Sequence, residues 1–122
     1  MEELYKENIL DHNTHPHNKR VIVGGHAEAK ARNVSCGDSA TLQIVFDEQG
    51  YAIDVAFQGD GCAVSQAGIS MLTDKIKGMH RDAIKLLSPG DMYTMLGVAI
   101  SHSRVNCALL GYEALQNILK TA

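Results

Sequence analysis

The sequence predicts an α+β domain: a three-stranded antiparallel sheet with an N-terminal helix and C-terminal helices packed on it. Three patterns point there. Period-two alternation fills residues 26–58, periodicity of three and four fills residues 64–119, and one short amphipathic stretch precedes both. A chain of 122 residues is long enough to bury a core as one domain over 1–122 without disulfides. At 45% apolar residues the composition is that of an ordered globular chain.

Glu3 to His12 carries apolar Leu4, Tyr5, Ile9 and Leu10, a short helix docked by one side. His12-Asn13-Thr14-His15-Pro16-His17-Asn18 follows. Its three histidines resemble a metal tract, but Pro16 disfavours helix at His15, so the spacing of His12 and His15 carries no weight and a solvated loop is expected. From His26 to Val34, Ala27, Ala29 and Ala31 alternate with Glu28, Lys30 and Arg32, which reads as a first strand. Ala40 to Phe46 is a stronger one, with Leu42, Ile44 and Phe46 on one face. Asp47-Glu48-Gln49-Gly50 is a hairpin turn. In the third strand Tyr51, Ile53, Val55 and Phe57 are expected on one buried face, opposite Ala52, Asp54, Ala56 and Gln58.

Beyond Phe57 the period lengthens. Val64, Ala67, Gly68, Met71, Leu72 and Ile76 predict a helix from Val64 to Lys77 that ends at Gly78. His80 to Leu87 reads as a short helix stopped by Ser88-Pro89-Gly90, and Met92, Met95, Leu96 and Ala99 suggest another. Val105, Ala108, Leu109, Tyr112, Leu115, Ile118 and Leu119 form one continuous stripe, predicting a single last helix. Cys107 lies roughly 120° from the centre of that stripe and is expected off the main core face.

The cysteines carry the functional signal. Cys36 sits in Cys36-Gly37-Asp38, a loop in which the glycine allows a tight turn that aims thiol and carboxylate at one point. Cys62 follows Gly59-Asp60-Gly61 just before a helix, and Cys107 lies near the start of the last one. Unpaired amides at helix starts favour the thiolate, whose formation is unfavourable near neutral pH at a pKa of about 8.5. Three thiols and a carboxylate suit tetrahedral zinc or a small iron–sulfur cluster. With no Cys-x-x-Cys pair, the fold itself must assemble the site, at one end of the sheet. The carboxylate of Asp38 is a harder ligand than a thiolate and matches cluster iron less well, which favours a carrier that gives its cargo away. Free cysteine is also a common core residue. Against that, all three fall beside a glycine, a helix start or both. A Cys–His nucleophile with His80 or His102 has no sequence context that would orient the imidazole.

A net charge of −3 gives no reason to expect nucleic-acid binding. Met1 to Leu10 has no leader pattern and no apolar run approaches the roughly 18 residues of a membrane span, so neither export nor a membrane is expected. An odd cysteine count then fits a reducing cytoplasm.

Several segments resemble the IscU/SufU/NifU-N family of iron–sulfur assembly proteins. They are Leu4-Tyr5-Lys6, Ile9-Leu10-Asp11-His12, Pro16-His17-Asn18-Lys19, Ser35-Cys36-Gly37-Asp38, Phe57 through Ser65, Ser70-Met71-Leu72-Thr73 and Cys107-Ala108-Leu109-Leu110. The resemblance implies a SufE/NifU-like fold and Cys36, Asp38, Cys62 and Cys107 as ligands. It implies sulfur supplied by a pyridoxal-phosphate cysteine desulfurase of the SufS or IscS kind. It further implies either a transient [2Fe-2S] cluster passed to apo-proteins, with Asp38 promoting release, or Zn2+ in a zinc-dependent sulfurtransferase. Cys36 and Cys107 are the candidate persulfide acceptors. Asn106 stands where IscU members carry histidine, and Val98 to Val105 lacks their Leu-Pro-Pro-Val-Lys chaperone segment; both departures are SufU-like. The stretch from Cys62 to Cys107 is short for SufU, which marks a compact intermediate form.

Overall fold

The computed structural model describes residues 2–33, 37–97 and 105–121, with side chains from residue 7 to residue 120. Helix α1 (Glu2–Thr14) precedes strands β1 (Ala27–Asn33), β2 (Asp38–Phe46) and β3 (Ala52–Asp60). Helices α2 (Ala63–Ile76), α3 (Arg81–Ile84), α4 (Pro89–Leu96), α5 (Val105–Ala108) and α6 (Leu110–Thr121) follow. The sheet is antiparallel in the order β1-β2-β3, as the alternation predicted.

Helices α2 and α6 cover one face of this sheet. Leu42, Ile44, Val55 and Phe57 meet Ile69, Leu72, Ile76, Leu110, Leu115 and Ile118, all at 0–1% exposure. Each such side chain contributes about 1.5–3 kcal/mol by leaving water. Close approach of α6 to α2 depends on Gly111, where a Cβ would stand 2.9 Å from Ile69 Cγ1.

The third strand departs from simple alternation. A register shift between Val45 and Phe46 pairs Phe46 with Ala52 and Val45 with Asp54. Ile53 is the extra residue of this bulge. It is therefore 55% exposed while Ala52 is fully buried, the reverse of the expected facing. The opposite sheet face is also partly covered. Gln43 is buried there, accepting from the Ile22 N–H (2.8 Å) and donating to the Ile22 carbonyl (3.1 Å).

The outer edge of β3 is capped at two places, which removes a template for strand addition. Phe57 N–H donates to the Asn18 carbonyl (3.0 Å), and Ala52 N–H donates to the Met79 carbonyl (2.9 Å). Helix α4 starts at Ser88, whose N–H donates to the Asp91 carboxylate (2.7 Å) in a capping box. The expected helix over His80 to Leu87 is shorter: α3 ends at Ile84 with Lys85 as its C-cap, so Ser88 starts α4 and does not end the helix before it.

The histidine segment differs from the expected solvated loop. Helix α1 continues to Thr14, and His12 is 8% exposed. Its Nδ1 lies 2.8 Å from Ser70 Oγ on α2. Burial and then the neighbouring His17 hold the His12 imidazole below its ordinary pKa, against the raising effect of Asp74 and Asp11. The expected single last helix is divided at Leu109 into α5 and α6. Among the described residues, no helix is long and apolar enough to cross a membrane.

Candidate metal centre

The end of the sheet opposite the 47–50 hairpin gathers the end of β1, the start of β2, the end of β3 and the start of α2. Asp38 is the first residue of β2 rather than part of a preceding loop, because its backbone already pairs with Asn33. Strand pairing fixes this carboxylate, and it is 2% exposed. Cys62 occupies the N-cap of α2 with extended backbone (φ −75°, ψ 165°), as its place before the helical period predicted. Its N–H donates to Asp38 Oδ1 at 3.2 Å. Gly61 makes this contact possible: a Cβ there would lie 2.4 Å from Asp38 Oδ1 and 2.8 Å from Ser65 Oγ.

Cys107, in α5, is 2% exposed. It stands outside both hydrophobic clusters of the core and is nevertheless shielded from solvent: α5 packs on α2 and α6, and Asn33 Nδ2 stands 3.9 Å from the sulfur. The ligand-capable atoms of Asp38, Cys62 and Cys107 all lie within 4.8 Å of one another. Cys36 and His102 lie outside the described residues, as do residues 98–104 of the segment compared with the chaperone motif. His80 is not near the thiols. It caps α3, receiving the Asp82 N–H (3.1 Å), with its Nε2 2.6 Å from the Gln49 carbonyl at the hairpin end.

Burial pushes the Cys62 thiol up, but hydrogen bonds outweigh it. The Ser65 N–H, the Cys107 thiol, the Ser65 hydroxyl and the Val64 N–H together leave Cys62 below its ordinary value. The first turn of α2 itself carries no acidic residue, so its amides favour the thiolate. Ser65 and the buried Gln66, whose Nε2 lies 3.3 Å from Ser65 Oγ, belong to this environment. Sequence reasoning missed both, since neither is a ligand type; the only cue was their place in the turn after Cys62.

Two thiols and a carboxylate gathered by a small α+β fold define a protein with the donor set of a thiolate metal centre. Residues 4–121 match the NifU-like N terminal domain family, and the chain belongs to that family. It is 29% identical to the iron-sulfur cluster assembly scaffold protein IscU of Streptococcus pyogenes serotype M1, over 98% of this chain and 85% of that protein. It is likewise 29% identical to the zinc-dependent sulfurtransferase SufU of Bacillus subtilis, over 95% of this chain and 89% of that protein. Among solved structures, a putative iron-sulfur cluster assembly scaffold protein for the SUF system from Fervidobacterium islandicum AW-1 superposes with a TM-score of 0.71. That match is 29% identical and covers 96% of this chain and 97% of that one.

Proposed function

We propose that this chain, acting as one cytoplasmic domain over residues 1–122, is a scaffold that accepts sulfur from a cysteine desulfurase. With ferrous iron and an external electron donor that reduces the persulfide sulfur to sulfide, it builds a [2Fe-2S] cluster as cargo on Cys36, Asp38, Cys62 and Cys107 and hands it to apo-proteins. The convergence of Asp38, Cys62 and Cys107 carries this reading. Sulfur arrives by thiol exchange: the thiolate of Cys36 or Cys107 attacks the outer sulfur of the desulfurase persulfide, and the desulfurase cysteine leaves as its thiolate. Cys107 is buried, so it receives sulfur only once the sheet end opens against the partner. Asp38, the hard ligand of the set, is where the cargo is held least firmly and released first.

The donor chemistry also favours a second reading, a zinc-dependent sulfurtransferase that holds no cluster. A set of thiolates and one carboxylate fits tetrahedral zinc. Zinc bound there would keep the thiols deprotonated and masked until a desulfurase displaces one ligand.

Anaerobic reconstitution with a cysteine desulfurase, followed by transfer to an apo-ferredoxin, separates the two. Transfer faster than with free iron and sulfide supports the scaffold. Absence of transfer, with desulfurase turnover rising only for the zinc-loaded chain, overturns it in favour of the sulfurtransferase.

A further inference from the structure

We propose that His12, His17 and Asp74 form a second divalent-metal site, of two imidazoles and one carboxylate, that binds Zn2+ at the seam between α1 and α2. Ligand-capable atoms of the three residues lie within 4.8 Å of one another. The group shares no residue with the thiolate centre. Cys62 and Asp74 stand at opposite ends of α2, roughly 18 Å apart along its axis at 1.5 Å per residue.

The surroundings hold these side chains in place as outer-shell partners hold metal ligands. Ser70 Oγ, fully buried on α2, lies 2.8 Å from His12 Nδ1 and accepts the His17 N–H at 2.7 Å. One hydroxyl thus fixes the His12 ring and the backbone of His17. In the tautomer that donates from Nδ1 to Ser70, His12 would keep the lone pair of Nε2 for a metal. Asn18 adopts a left-handed conformation (φ 62°), and its Nδ2 donates to Asp74 Oδ1 (2.9 Å) and Thr73 Oγ1 (3.0 Å). The other carboxylate oxygen, Oδ2, pairs with His17 Nδ1. The two imidazole centroids are 4.4 Å apart, with the rings tilted by 43°.

Nitrogen and oxygen donors of this kind suit zinc and its first-row neighbours, and three protein ligands leave a position for water. Zinc–ligand bonds near 2.0–2.1 Å require donor atoms roughly 3.3 Å apart, so the group must contract on binding. His17 and Asp74 side chains are about half exposed and free to make that adjustment, while His12 stays anchored. A cavity of about 350 Å³ lined by Asn8, His12, Met71, Asp74, Lys75 and Met95 gives an ion and its water access.

The test is a Co2+ titration of the reduced full-length chain, followed by absorbance. One equivalent is expected with sulfur-to-cobalt charge-transfer absorption and a second with ligand-field bands but no added charge transfer. His17→Gln and Asp74→Asn, both at exposed positions, should each abolish the second equivalent and leave the first, which also reports that the variants fold. A single equivalent in the wild-type chain overturns the proposal. So does a second equivalent that survives both substitutions.

Discussion

Asp38, Cys62 and Cys107 meet at the N-terminal end of α2, whereas His12, His17 and Asp74 meet near its C-terminal end, and the two groups are built differently. The first has sulfur donors and a carboxylate that strand pairing, a helix start and the short helix α5 bring together, with Asp38 and Cys107 buried and Cys62 half-buried. The second has nitrogen and oxygen donors, two of them half exposed, held by the buried hydroxyl of Ser70 and by Asn18. Softness and rigidity therefore go together at one end of the helix, and hardness and adjustability at the other. One helix serves both because its first turn offers amides to a thiolate and its last turns offer side chains to α1.

Substitutions break this contrast in order of expected size. Cys62→Ser should lower affinity for Co2+ at the thiolate centre by more than the roughly 10–100-fold that losing an outer-shell partner costs. The charge-transfer absorption should fall with it, and binding at His12, His17 and Asp74 should persist. Ser70→Ala should do the opposite. It leaves the buried His12 Nδ1 without its hydroxyl partner, which costs about 1–3 kcal/mol of unfolding free energy in a denaturant titration. The cobalt–thiolate absorption should be unchanged. Gly61→Ala places a methyl group against Asp38 and Ser65, and overpacking of this kind costs about 1–3 kcal/mol. Its sharper signature is local: weaker metal binding at the thiolate centre, read by competition with a chelator, with no change at the other end of α2.

Much of this was legible in the sequence. Leu42 and Ile44 declared the buried face of β2, and Cys62 declared a helix start because the period changes just after it. Ile53 and Ala52 exchanged faces because a bulge between Val45 and Phe46 leaves no trace in a period-two pattern. Burial of Cys107 was hidden for a related reason: the stripe on the last helix describes contact with the sheet, not the packing of α5 against α2 and α6. The histidine group was least legible. His17 and Asp74 are distant in sequence, and only the packing of α1 on α2 brings the tract to Ser70 and Asp74.

Asp38→Ala tests the central claim, that the carboxylate at the thiolate centre makes the site a donor of its cargo. The variant is reconstituted anaerobically with a cysteine desulfurase, and cluster lifetime and transfer to apo-ferredoxin are followed by absorbance and circular dichroism. The account predicts a longer-lived cluster and slower transfer than in the wild-type chain. Faster loss of the cluster, or unchanged transfer, would contradict it.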